Sequence, residues 1–151
     1  MKKTLLLVII ILVAIQFIQP SRNKSETDPK ADISAVLAVP DSVRYILKNA
    51  CYDCHSNNTR YPWYSYIQPV GWWLAGHIKD GKNNLNFNEF GSYSQRRQKG
   101  KLDGIVNVIR DDVMPLKSYR LIHKDARLGD GEKSLLMKWA ESSTGTIPAD
   151  Q

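Results

Sequence analysis

Two cysteines and a histidine stand close together in the run Cys51-Tyr52-Asp53-Cys54-His55, and the chain has no other cysteine. Two thiols and an imidazole at this spacing suit three kinds of chemistry: thiol–disulfide exchange, metal binding, or covalent attachment of a prosthetic group. We therefore expect the chemistry of the chain to centre on residues 51–55.

A thioredoxin-like pair, a structural zinc site and a plain disulfide all fit the surrounding sequence poorly. A thioredoxin-like pair would follow a strand, whereas residues 40–50 predict a helix. A structural zinc ion needs four ligands, and the chain has neither a second Cys-x-x-Cys nor a closely spaced histidine pair. A disulfide is possible in an oxidising compartment, but across this spacing it would restrain almost none of the chain.

Covalent haem attachment uses every residue of the motif. Two thiols add to the two vinyl groups of a haem, and His55 then offers an imidazole nitrogen to the iron as proximal ligand. The sequence therefore predicts one covalently bound haem c, held by Cys51, Cys54 and His55.

The segment before the motif predicts the helix that would present it. Apolar residues recur there at helical spacing and form one face, and Asp41 or Ser42 is expected to cap the start of the helix. The apolar residues are Val43, Ile46, Leu47 and Ala50.

Four side chains are candidates for the second axial ligand. Met114 is favoured, because Pro115 excludes an α-helical conformation at Met114 and leaves its thioether in an extended loop. The alternative for Met114 is a gap-filling role in the core. His77 is the runner-up, His123 in a predicted loop is a weaker candidate, and Met137 is expected to pack in the core.

Six aromatic residues follow the motif, and we expect them to pack mainly as core around a large flat cofactor. The alternative is a wall at the haem edge whose polar groups bond a propionate. These residues are Tyr61, Trp63, Tyr64, Tyr66, Trp72 and Trp73.

Residues 1–20 have the form of an export signal. Lys2 and Lys3 precede an apolar run from Leu5 to Ile15, and no Ala-x-Ala-like cleavage site follows. An uncleaved signal anchor is favoured over a cleaved signal peptide, although the run is short against the ~20 residues of a membrane span. The rest of the chain is then expected on the periplasmic, extracytoplasmic side, tethered to the cytoplasmic membrane.

The charge balance gives no support for a nucleic-acid partner. Residues 1–25 hold four of the 21 basic residues and no acid, which leaves 17 basic and 15 acidic residues in the remainder. The basic run 96–101 is expected to be a solvated helix start, and its alternative is a docking patch for an acidic redox partner.

The remaining segments predict an all-α fold, because none shows convincing strand alternation. Helices are expected over 71–79, over 94–111 with Leu102, Ile105, Val106 and Ile109 on one face, and over 132–140 after a cap at Asp130. The predicted organisation is a signal segment 1–20, a linker 21–39, a haem-binding domain 40–142 and a flexible tail 143–151.

The order of these motifs resembles class I cytochromes c and, more closely, the haem-binding-domain family of exported bacterial cytochrome c-like proteins, over about residues 40–142. Beyond the haem motif, the resemblance rests on Ser56-Asn57-Asn58-Thr59, Tyr61-Pro62-Trp63-Tyr64-Ser65, Trp72-Trp73 and Met114-Pro115-Leu116-Lys117-Ser118-Tyr119. It implies haem ligation by His55 and Met114, and a last helix that crosses the helix before the motif. Trp139 and either Leu135 or Leu136 would then meet Val43, Ile46 or Leu47.

The sequence accordingly predicts a one-electron carrier rather than an enzyme. It would need the cytochrome c maturation machinery for assembly and a redox partner protein that the sequence does not identify. The alternative is a small-ligand sensor or a peroxidase-like domain with an open distal site.

Overall fold

Every regular element within residues 1–148, the part that the computed structural model describes, is helical. The α-helices are α1 (Lys2–Ala14), α2 (Ile33–Val36), α3 (Asp41–Ala50), α4 (Tyr52–His55), α5 (Val70–Asn84), α6 (Gln95–Arg110), α7 (Lys117–Ile122) and α8 (Asp130–Thr146). Short 3-10 helices lie at Ile15–Phe17, Trp63–Tyr66, Phe87–Ser92 and Lys124–Ala126. The all-α prediction is confirmed.

The helix α3 forms where the apolar spacing predicted it, and all four apolar residues of its predicted face are buried. The predicted cap is wrong, because Pro40 occupies the N-cap position and no side chain bonds the first turn. Asp41 instead lies within that turn, where its carboxylate interacts favourably with the helix dipole.

Helices α6 and α8 pack along each other, and α8 also contacts α3. Ser94 caps α6 by accepting a hydrogen bond from the Arg97 backbone nitrogen, so the basic run 96–101 forms the first turns of this helix. The predicted apolar face of α6 is buried as expected, and it joins the core with α3 and α8.

The last helix contacts α3, in line with what the resemblance implied. Leu136 and Trp139 lie in the same core cluster as Leu47, and the Trp139 indole Nε1 donates to the Ala38 carbonyl at 3.0 Å. Leu135, by contrast, is 39% exposed.

Both ends of α8 differ from the prediction. Asp130 is the first helical residue rather than the cap, and Glu132 accepts a hydrogen bond from the Gly129 nitrogen at 2.9 Å. The helix continues to Thr146, and Ile147 is buried in the core, so the predicted flexible tail is wrong over 143–147. Residues 149–151 of that tail lie outside the described residues.

The predicted linker lies against the helical domain. The Asn23 side chain donates to the Ser56 carbonyl at 2.8 Å and to the Thr59 hydroxyl at 2.9 Å, and the backbone of Lys24 forms a bridge with Asn58. Further along, Ile33 of α2 is fully buried. This segment is therefore fixed to the domain at several points.

The first helix, α1, is apolar and exposed along its length. None of the helices in residues 1–148 combines the length and the apolar character that a membrane crossing requires.

The neighbouring leucines of α8 provide a test of the core. Leu136→Ala is expected to lower the free energy of unfolding by about 2–5 kcal/mol, because it removes a fully buried side chain and leaves a cavity. Leu135→Ala, the matched control on the exposed side, should cost well under ~1 kcal/mol. Denaturant unfolding of the two variants would measure the difference, and equal losses would mean that α8 has a different rotation about its axis.

Candidate functional site

The motif residues Cys51, Cys54 and His55 line a cavity of about 170 Å³ together with Met114 and His77. The structure thus brings the four predicted cofactor-binding residues and the runner-up ligand to one place. The other two candidates for axial ligation do not line it: His123 lies elsewhere, and Met137 packs partly buried against the core.

A second cavity, of about 260 Å³, shares Cys51, His55, Asn84 and Met114 with the first, so the two adjoin. Its wall is mainly apolar and is formed by Leu47, Leu85, Phe87, Ile105, Val108, Ile109 and Leu136. Together the two cavities form a largely apolar slot, with the thiols and the imidazole of the motif at its side.

Two glycines of α6 keep this slot open. Gly100 and Gly104 line the second cavity, and a β-carbon built at either would meet no other atom within 4 Å. In the structure they let a flat group approach the helix backbone closely.

A backbone carbonyl orients the proximal imidazole. His55 Nδ1 lies 2.9 Å from the Leu85 carbonyl oxygen, which only accepts hydrogen bonds, so Nδ1 carries the proton and Nε2 keeps its lone pair. Burial lowers the pKa of His55, which favours the neutral form that binds iron. Phe87 packs against the ring at 6.2 Å between centroids and limits its rotation.

Both cysteines are free thiols. Burial and the neighbouring Cys54 raise the pKa of Cys51 to about 12, and burial and Asp53 raise the pKa of Cys54 to about 11. The structure therefore presents two protonated thiols beside the cavity. Within the described residues, no group of three or more His, Cys, Asp or Glu side chains could hold a metal ion by itself.

A close contact with α5 fixes the short helix α4. A β-carbon built at Gly81 would lie 2.6 Å from the Cys54 carbonyl oxygen. Only a glycine permits this approach, and it holds the second thiol beside the cavity.

Gly81→Ala is therefore expected to destabilise the fold by about 1–3 kcal/mol, because one backbone must move away from the other. Gly76→Ala on the same helix is the matched control, since a β-carbon there meets nothing within 4 Å. That change should instead stabilise the helix by about 0.5–1 kcal/mol. Denaturant unfolding of both variants measures this, and a neutral Gly81→Ala would contradict the close packing of α4 on α5.

The sequence analysis missed the role of Asp53, which lies between the two cysteines and is buried. Its Oδ1 accepts from Arg60 Nε at 3.1 Å, and its Oδ2 accepts from the Tyr119 hydroxyl at 2.6 Å. Burial and the hydrogen bond to Asp53 raise the pKa of Tyr119, so its hydroxyl remains a donor. A carboxylate inside the motif and an arginine shortly after it were the available signals.

Backbone and side-chain hydrogen bonds hold the loop that carries Met114. Its backbone turns at Asp112, where φ is 54°, and the nitrogens of Val113 and Met114 donate to the Val108 carbonyl at 3.0 and 3.2 Å. Hydrogen bonds from Arg120 and Lys133 hold the pKa of Asp112 well below its usual range. Met114 is non-helical, as its following proline predicted, and the bond between them is cis.

The two other histidines differ in their surroundings. His77 Nε2 is buried in the structure without a hydrogen-bond partner, and the ring stands edge-on to Trp73 at 4.4 Å. An unpaired buried nitrogen is costly unless a ligand satisfies it, which gives His77 weight as an alternative axial ligand. His123 Nε2, in contrast, is bonded to the Tyr64 hydroxyl at 2.6 Å.

The residues present fit a haem. Glycines and apolar side chains form the walls of the slot, and two thiols lie at its side. Because His55 Nδ1 bonds the Leu85 carbonyl, His55 Nε2 is free to accept. The orphaned nitrogen of His77 and the thioether of Met114 supply further iron-binding atoms on the same cavity.

Comparison with known families gives one finding. The family described as haem-binding domain matches residues 10–142, which extends from within α1 into α8. No curated protein and no solved structure matches the chain.

Proposed function

Because this chain belongs to the haem-binding domain family, we propose that it binds a single haem c through thioether bonds to Cys51 and Cys54 and transfers one electron at a time. The observation that supports this most strongly is the slot that brings both thiols, His55 and Met114 together. Haem binding itself follows from membership of this family.

The protein has two tasks towards the haem, which when bound supplies a one-electron iron couple. First, His55 and Met114 would hold the iron, and backbone contacts position both residues: the Leu85 carbonyl bonds the His55 ring, and the Val108 carbonyl accepts from the Met114 nitrogen. Second, the apolar wall keeps water away, which is one of the means by which a protein sets a reduction potential. Neither task requires a catalytic acid or base.

A second candidate function rests on His77. If Met114 does not hold the sixth position, the cavity offers a distal side with an imidazole nearby, as a small-ligand sensor or a peroxidase-like centre would need. Six-coordinate iron in the resting protein supports the electron carrier, and five-coordinate iron supports this alternative.

We also propose that the domain works outside the cytoplasm and is tethered to the outer face of the cytoplasmic membrane by residues 1–20. Lys2 and Lys3 before an apolar helix that is exposed on every side support this location. Export would give access to the cytochrome c maturation machinery and to an exported redox partner.

The test is retention of haem after denaturation. The chain is co-expressed with the maturation machinery, and the denatured protein is examined by haem staining and by its pyridine haemochrome spectrum. We expect the haem to stay on the chain with a c-type spectrum, and the Cys51→Ala/Cys54→Ala double variant to lose it. Release of haem from the unaltered chain would refute covalent attachment.

A further inference from the structure

Four of the aromatic residues that were expected to pack around the cofactor are instead on the surface, namely Trp63, Tyr66, Trp72 and Trp73. The expectation of core packing is wrong for them. Trp63 is 75% exposed and Trp73 is 53% exposed. The physical reason is that α5 lines the slot only from His77 onward, and none of these four aromatic residues lines either of its two cavities.

Two of these residues, Tyr66 and Trp72, lie where the segment after the first helix meets the domain, because Tyr66 bonds Gln19 and Trp72 bonds Ile18. We call the group at this junction the collar and define it by its exposed members Phe17, Ile18, Tyr66, Ile67, Val70 and Trp72. Its members are apolar or aromatic, and between 37% and 84% of each residue's surface is exposed.

Hydrogen bonds fix the collar to the end of the first helical segment. The side-chain amide of Gln16 makes two hydrogen bonds to the backbone of Gln68. Its Nε2 donates to the Gln68 carbonyl at 3.1 Å, and its Oε1 accepts from the Gln68 backbone nitrogen at 2.9 Å. Trp72 Nε1 donates to the Ile18 carbonyl at 2.8 Å, and the Gln19 amide donates to the Tyr66 carbonyl at 3.1 Å. These hydrogen bonds therefore fix the direction of α1 relative to the collar, and we treat the two as one rigid unit.

The composition of this unit fits the boundary layer of a lipid bilayer. The helix α1 is apolar on all sides, and tryptophan and tyrosine concentrate at membrane interfaces, where their apolar rings and polar groups find matching surroundings. If α1 lies in lipid, the collar lies at the level where the chain leaves it.

A basic groove beside the collar adds charge complementarity. It has a volume of about 590 Å³ and contains Arg22, Lys24, Lys79 and Lys82 but no acidic residue. Arg22 is held in place over the ring of Tyr66 at 4.0 Å. Basic residues near a membrane surface attract anionic headgroups, so the groove selects an anionic bilayer.

We propose that the collar is a membrane-docking face, which enters the interfacial layer of an anionic lipid bilayer and holds the haem domain in one orientation. The inference rests on the membrane location proposed above. A fixed orientation limits which part of the haem domain meets a redox partner, because the contacts around Gln16 and Asn23 leave no free linker for rotation.

Site-directed spin labelling of the full haem-loaded chain tests this. Both native cysteines are consumed by the haem, so an introduced cysteine is the only free thiol. Labels are placed in the collar (Ile67→Cys, Val70→Cys), on α1 (Ile10→Cys), and at two exposed control positions outside the collar (Tyr45→Cys, Leu121→Cys). The protein is reconstituted into vesicles of phosphatidylcholine and phosphatidylglycerol.

The readout is the collision rate of each label with oxygen, which concentrates in lipid, and with a water-soluble nickel chelate. We expect the two collar labels to show severalfold fewer collisions with the chelate than the control labels, and more collisions with oxygen. Omission of phosphatidylglycerol should raise the chelate collisions at the collar. No change would refute the selection of an anionic surface.

The α1 label separates the two proposals. If α1 collides mainly with the chelate, the membrane location itself is wrong. If α1 is in lipid while the collar labels behave like those at Tyr45 and Leu121, only the docking face is refuted. Dipolar broadening between collar labels would show that a second copy of the chain covers the collar, and this outcome also overturns the proposal.

Discussion

In Met114→Ala, the near-infrared Met–Fe(III) charge-transfer band is expected to vanish, and the reduction potential is expected to fall by on the order of 0.1–0.3 V. The thioether favours the ferrous form of a haem, and alanine at this position provides no replacement ligand. Optical spectra of both oxidation states and a redox titration would measure the two effects. The ferrous variant should also bind carbon monoxide, because its sixth position is open.

The chain offers two controls for this change. Met137→Ala removes a partly buried methionine that packs against the core rather than lining the cavity with the thiols, so it should leave the band intact. His77→Ala removes the unpaired imidazole from the same cavity as Met114. If Met114→Ala leaves the spectrum unchanged and His77→Ala alters it, His77 is the axial ligand. A high-spin spectrum in the unaltered protein would favour the sensor or peroxidase-like function.

The sequence predicted those helices in which apolar residues recur at helical spacing. In α3 and α6 the apolar positions form one face, and that face is buried. The sequence did not separate Leu135 from Leu136, since neighbouring leucines both fit the pattern and only the contacts of α8 with α3 and α6 decide which one faces inward. The length of α8 was missed for a similar reason, because burial of Ile147 continues the packing beyond the clear pattern.

The candidate site likewise has features that the sequence predicted and features that it did not. The haem motif and Met114 were predictable because each is a local pattern with a chemical meaning. The bond from His55 to the Leu85 carbonyl was not, since any residue carries a backbone carbonyl and the two positions are 30 residues apart. The exposed aromatic residues were misplaced because residue type indicates a preference for apolar surroundings without saying whether protein or lipid provides them.

Asp53→Ala is expected to lower the free energy of unfolding by about 2–4 kcal/mol. The buried carboxylate accepts from Arg60 and from Tyr119, and its removal leaves both donors without their partner. The figure lies below that for a fully buried ion pair because the Arg60 side chain is 58% exposed. Asp41→Ala is the matched control, since Asp41 is fully exposed and its nearest contact with Arg44 is 3.9 Å. It should cost much less than Asp53→Ala, because solvent screens an exposed charge.

The bond between Tyr119 and Asp53 also joins the stretch that follows Met114 to the Cys51–His55 motif. Tyr119→Phe keeps the ring and removes this one bond, so we expect a smaller stability loss of about 1.5–3 kcal/mol. A purely structural bond would leave the Met–Fe(III) band unchanged until the protein unfolds. A bond that positions the ligand would make the band disappear at a lower temperature than the helical circular dichroism, and this is the result we expect. Coincident transitions in the variant would show that the loop holds Met114 without help from Asp53, through the Val108 carbonyl and the pairs of Asp112 with Arg120 and Lys133.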